Sequence, residues 1–237
     1  MQEKSFFGTR VEMGTHELQL PEELREPVRR HLEQLRDHFV GINWAQRVGF
    51  GNRPALIVVD LALNWTQPGS QMGSNVDSVV EATCHVLSSA REARIPIFFS
   101  SYAWDADEMP GLQNRKLISD VTQENASLYE LDPRLDRRPD EKLILKRYAS
   151  CFKGTNFQQM LAALGVDTLI VTGLSTSHCI YATCRDASES FRVIVPREAV
   201  GERCEMLHLV NLFDIDVDLG DVMPVEDVIE RLHQRDS

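Results

Sequence analysis

Three residues of this 237-residue chain combine a reactive side chain with a place where it could act: Asp60, Lys146 and Cys179. Asp60 closes the apolar run ALIVVD (55–60), Lys146 closes KLILK (142–146), and Cys179 lies just beyond TLIVTG (168–173). Each has an ordinary reading when taken alone. A carboxylate after a strand often caps a turn, a lysine is usually a solvated charge, and an isolated cysteine is usually a small buried hydrophobe. Cys179 differs from Cys84, Cys151, Cys184 and Cys204 in what precedes it, the small polar turn Gly173-Leu174-Ser175-Thr176-Ser177-His178 between a predicted strand and a predicted helix. A thiol at a helix N-terminus feels the positive end of the dipole, so a lowered pKa is expected there, and a nearby lysine would lower it further. Backbone N–H groups of the same turn could hold an oxyanion. The chemistry open to such a group is nucleophilic attack by sulfur.

The segments around these residues alternate strand and helix from Pro54 onward. Predicted strands are 55–60, 96–101, 142–146, 168–173 and 191–196; predicted helices cover 76–94, 155–164, 179–190, 203–213 and 225–234. Residues 103–140 read as a long polar excursion with turns at Met109-Pro110-Gly111 and Asp132-Pro133. This order predicts an α/β fold with a doubly wound, mostly parallel sheet, and such sheets bind ligands beyond the carboxyl ends of their strands. The expected organisation is one domain over 47–237 preceded by an arm over 1–46. The arm carries an apolar stripe at Leu24, Val28, Leu32, Leu35 and Val40, with Pro27 expected to disturb its opening turns.

A formal net charge of -11 repels phosphate backbones and anionic lipid heads, so neither nucleic acid nor membrane is an expected partner. No apolar run approaches the ~20 residues that cross a bilayer, and the start MQEKSFFGTRVEMGTHE has no apolar signal core. The five cysteines are odd in number and lack C-x-x-C spacing. That pattern suggests reduced thiols in a cytoplasmic protein and no structural zinc.

Taken together, RVGFGNRPALIVVD, LILKRYASCFKGTNF, VDTLIVTGLSTSHCIYATCRDA, FRVIVPREAVGER and HLVNLFDIDVDLGDV resemble the isochorismatase-like cysteine hydrolase superfamily, over roughly residues 47–233. The segments around Asp60 and PREAVGER are most similar to its N-carbamoylsarcosine amidase branch. The resemblance implies an Asp60–Lys146–Cys179 triad, an oxyanion hole of the Ser175 and Cys179 backbone N–H groups, and a cis Leu174–Ser175 peptide. It implies hydrolysis of a small ureido compound or amide with no cofactor, and assembly into a homo-oligomer such as a tetramer. The amphipathic arm needs a partner surface and is expected to pack on a neighbouring subunit, the alternative being its own core. Nicotinamidases of the superfamily hold a metal with histidines that LALNWTQPGS and YAWDADEMPG lack. Ser177-His178-Cys179-Ile180-Tyr181 also departs from the Ser-Gly-Cys-Val-Arg common in the carbamoylsarcosine branch, a change that bears on specificity. Competing readings are an amidase for a carboxamide such as maleamate, a vinyl-ether hydrolase, which would not need Cys179, and a non-catalytic scaffold.

Other residues are weaker candidates. Trp65 and Trp104 follow strand ends and could wall a pocket; Arg203 or Arg197 could anchor a substrate carboxylate. His178 is expected to point away from the site, since sequence neighbours at a helix start diverge, and His208 to be structural. Asp214-x-Asp216-x-Asp218 fails as a calcium loop, because the required Gly and Glu positions hold Leu219 and Val225.

Overall fold

A computed structural model describes residues 18–70, 72–102, 112 and 129–234. The sheet runs β3 (Lys142–Lys146), β2 (Ile97–Tyr102), β1 (Pro54–Val59), β4 (Thr168–Leu174), β5 (Arg192–Pro196), β7 (Asp221–Met223), with every pairing parallel. A two-residue strand, β6 (Val200–Gly201), pairs with the far end of β4. In β1, Ala55, Ile57 and Val59 enter one core while Leu56 and Val58 enter the other. That two-sided burial is why the central strands read as continuous apolar runs without alternation.

Helices cover both faces, as the doubly wound reading requires. α3 (Asp77–Glu92) and α7 (Val225–His233) set Val80, Leu87, Val228 and Leu232 against one face. α4 (Phe157–Ala163), α5 (Tyr181–Ser188) and α6 (Glu205–Asp214) cover the other with Phe157, Cys184 and Leu212. Phe157 also meets Phe98 and Phe152 at ring distances of 5.1 and 4.9 Å. A short helix, α2 (Leu63–Thr66), follows β1 and carries Trp65.

Three features go beyond the sequence pattern. α1 (Glu22–Gly41) runs straight through Pro27, which stands close enough to the start to remove only one interior hydrogen bond. The arm's inner face rests on its own domain: Leu20 and Leu32 pack on Leu209, flanked by Val28, Leu35 and Phe213. Buried Glu205 accepts from the Leu20 N–H (3.0 Å) and the Arg25 guanidinium (3.1 Å), with Arg29 at 3.4 Å. Arg36 and Arg47 likewise reach Asp216 at 2.7 and 2.5 Å. Finally, β6 and β7 have two and three residues, too short for periodicity to reveal.

Candidate active site

Each member of the site is placed by a strand end. Asp60 follows β1 with φ 51, a left-handed conformation unusual for a residue with a side chain, and its N–H donates to Ser100 O at 3.2 Å. Lys146 ends β3 directly opposite Tyr102 of β2. Near the end of β4 the chain passes close to β1, where Gly173 has φ 111 and a Cβ would collide with the Val59 backbone. The cis Leu174–Ser175 peptide comes next. A π-type turn, Thr176–Ile180, then carries Cys179. Two residues, Thr176 and Ser177, pin that turn. Thr176 Oγ1 donates to Gly201 O (3.0 Å) and lies 2.8 Å from His208 Nδ1, while Glu202 accepts from both the N–H and the hydroxyl of Ser177 (3.1 and 2.6 Å).

The three predicted groups meet. Lys146 Nζ lies 2.6 Å from Asp60 Oδ2 and 3.4 Å from Cys179 Sγ, and also donates to Tyr148 O at 3.2 Å. Ser100 Oγ donates to the other Asp60 oxygen at 2.8 Å. Tyr102 places its hydroxyl 3.5 Å from Sγ and its ring face 3.8 Å below the ammonium. Lys146 has no exposed surface and Asp60 only 2 %. Burial alone would lower the Lys146 pKa, but the Asp60 carboxylate foremost, and Cys179 after it, hold it well above its ordinary range.

The thiol departs from expectation. Burial, and then the neighbouring Asp60 charge, push Cys179 up; Lys146 and the Tyr102 hydroxyl oppose this without reversing it. The reason is geometric: Cys179 sits inside the π-type turn, before an eight-residue helix, and shares a desolvated site with a carboxylate. The resting group is therefore a thiol. His178 is pushed down, by burial and then by Lys146, and so is held neutral near pH 7.

A cavity of about 320 Å³ opens over Asp60 and Cys179, lined by Trp65, Met72, His178, Glu202 and Arg203 among others. Of the weaker candidates, Trp65 and Arg203 line this cavity, and Trp104 falls outside the described residues. His178 faces the cavity, contrary to expectation, because the wider π-type turn presents consecutive side chains differently from an α-helix. Arg203 donates to Met72 O across the rim. Arg197 pairs with Glu198 at 2.8 Å and lines a separate, larger cleft of about 720 Å³ beside α1 and α7 that contains neither Cys179 nor Asp60.

Asp214 and Asp218 accept from Tyr181 (2.5 Å) and Arg185 (2.7 Å), and Asp216 belongs to the arm clamp. Among the described residues, no group of three His, Cys, Asp or Glu side chains is arranged to hold a metal ion. Ser100, Tyr102, Met72 and Glu202 escaped the sequence reading. For the first two the pattern is mixed, since Ser100 and Tyr102 share their face of IFFSSY with Phe98, and Ser101 stands with Ile97 and Phe99 on the other.

The isochorismatase domain family matches residues 54–227. N-carbamoylsarcosine amidase of an Arthrobacter species is 34% identical over 195 residues, covering 79% of this chain and 74% of the relative. Maleamate amidohydrolase of Pseudomonas putida is 34% identical over 206 residues, covering 84% and 96%. A cysteine hydrolase structure from Pseudomonas syringae pv. phaseolicola has the same fold at a TM-score of 0.74 and 22% identity, covering 81% of this chain and 98% of that one. The sheet order, the strand-end site and these matches agree: the chain belongs to the isochorismatase family.

Proposed function

We propose that this chain is an amidohydrolase that cleaves the C–N bond of a small N-carbamoyl compound through a covalent Cys179 intermediate. The observation that carries the reading is the buried Asp60–Lys146–Cys179 contact opening onto a cavity whose rim holds Arg203. Asp60 accepts the thiol proton as sulfur attacks the ureido carbonyl. Lys146 offsets the charge passing between them, and the Ser175 and Cys179 N–H groups receive the oxyanion. Asp60 then gives the proton to the departing nitrogen, releasing ammonia and leaving a carbamoyl thioester. Water, deprotonated by Asp60, attacks that ester; the thiol returns and the released carbamate falls apart into carbon dioxide and an amine. Arg203 would hold a substrate carboxylate, with Trp65 as an apolar wall.

A second reading, a plain carboxamide such as maleamate, is favoured by the equal identity to maleamate amidohydrolase. It differs only in leaving an acyl thioester. Ammonia release measured across N-carbamoyl amino acids and primary amides separates the two. Cys179→Ser is expected to lower turnover at least ~10³-fold with an unchanged melting temperature; near-parental turnover would refute covalent catalysis. The five cysteines, none of them in a disulfide, fit a reducing cytoplasm. Exposed Leu24 and Val40 on α1 and Leu207 and Val210 on α6 support a homo-oligomer. Light scattering that gives a monomer mass would overturn that assignment.

A further inference from the structure

β2 supplies two side chains to the site through its alternation. Phe98, Ser100 and Tyr102 point to one face; the first packs in the core, the second holds Asp60, and the third ends the strand beside the nucleophile. Tyr102 is 9% exposed, too enclosed to have been kept for solubility, and a phenylalanine would fill the same space. What the hydroxyl adds is a contact 3.5 Å from Sγ, while the ring supports the Lys146 ammonium at 3.8 Å.

We propose that Tyr102 is a fourth catalytic residue, whose hydroxyl donates to Cys179 Sγ as negative charge develops there and whose ring fixes the Lys146 ammonium. This rests on the reading of Cys179 as the nucleophile. The direction of donation follows from the neighbours. The thiol proton is directed to Asp60, and a sulfur that has given it up can only accept. Burial first, then negative charge developing on Cys179 and the Asp60 charge, outweigh Lys146 and hold the phenol far above its ordinary pKa, so it keeps its proton throughout the neutral range. The titratable or charged groups facing Sγ are Asp60 from the end of β1, Tyr102 from β2 and Lys146 from β3, with His178 adjacent on the turn. Of these, only Lys146 and Tyr102 favour the thiolate. Losing one hydrogen bond to an ionised group is expected to shift the thiolate equilibrium about tenfold.

Tyr102→Phe keeps the ring and removes the donor. Iodoacetamide labelling of Cys179, followed on its peptide by mass spectrometry against pH, should slow about tenfold at each pH below the thiol's midpoint. With substrate, kcat should fall by about the same factor at unchanged KM. A merely structural tyrosine would move the melting temperature and leave the labelling profile in place. Parental labelling and parental kcat in Tyr102→Phe would overturn the proposal. Labelling needs no substrate, so this result stands apart from the fate of the amidohydrolase reading, which Cys179→Ser turnover decides.

Discussion

At the scale of single residues, Lys146 carries the largest electrostatic burden. It is fully buried and answers a carboxylate that is itself only 2 % exposed. Removing one member of a buried pair strands the other charge in a poor solvent, at about 3–5 kcal/mol. Lys146→Met should therefore destabilise the fold by about that amount in urea unfolding, beyond abolishing turnover. Adding Asp60→Asn should return a large part of it, because no uncompensated charge remains. A Lys146→Met chain as stable as its parent, or a double variant worse than the sum of the singles, would contradict this account. Asp60 and Lys146 were legible in the sequence because each closes an apolar run at a strand end, and Cys179 because a small polar turn precedes it. The protonation state of Cys179 was not. It depends first on how deeply the thiol is buried and then on how close Asp60 comes to it, and residues more than a hundred positions apart reveal that only once folded.

At the scale of elements, the nucleophile turn depends on how closely β4 passes β1. Gly173 combines φ 111 with a direction in which any Cβ meets the Val59 backbone, and neither fault can be relieved by a rotamer change. Gly173→Ala should destabilise by about 3 kcal/mol, near the upper end for a single substitution. It should also lower turnover, because relief of the clash displaces the Leu174–Ile180 segment from Asp60. A folded, fully active Gly173→Ala chain would show that the close approach is dispensable. The five longer strands and their order of helices could be read from apolar runs, since both faces of the sheet are covered. β6 and β7 could not be read so, because their register on β4 and β5 is fixed by partners and not by their own pattern. The π-type turn also left no periodic trace, and with it the inward turn of His178 was lost.

At the scale of the whole molecule, the arm is tied to residues some 180 positions away, which the stripe of α1 could not disclose: amphipathicity shows that a face is buried, not against what. The clamp is part apolar and part ionic. Burying Leu209 under Leu20 and Leu32 contributes about 2 kcal/mol. Glu205 adds a term with a definite dependence on pH. Burial by itself would raise its carboxyl, but the Leu20 N–H, Arg25 and Arg29 outweigh burial and hold it below its ordinary range. A carboxyl depressed in the folded state contributes stability that is fully present above its unfolded pKa, about 4.3. That contribution is lost as pH falls through the folded value. Deleting residues 1–45 removes these partners and hydrates Glu205. The truncated chain should melt well below the full one near neutral pH, and the gap should narrow as the pH is taken below about 4. Differential scanning calorimetry of both chains across this range measures it. Equal melting temperatures at neutral pH would show that the arm does not stabilise its own domain, and a gap independent of pH would remove Glu205 from the clamp while leaving the leucine contacts as its basis.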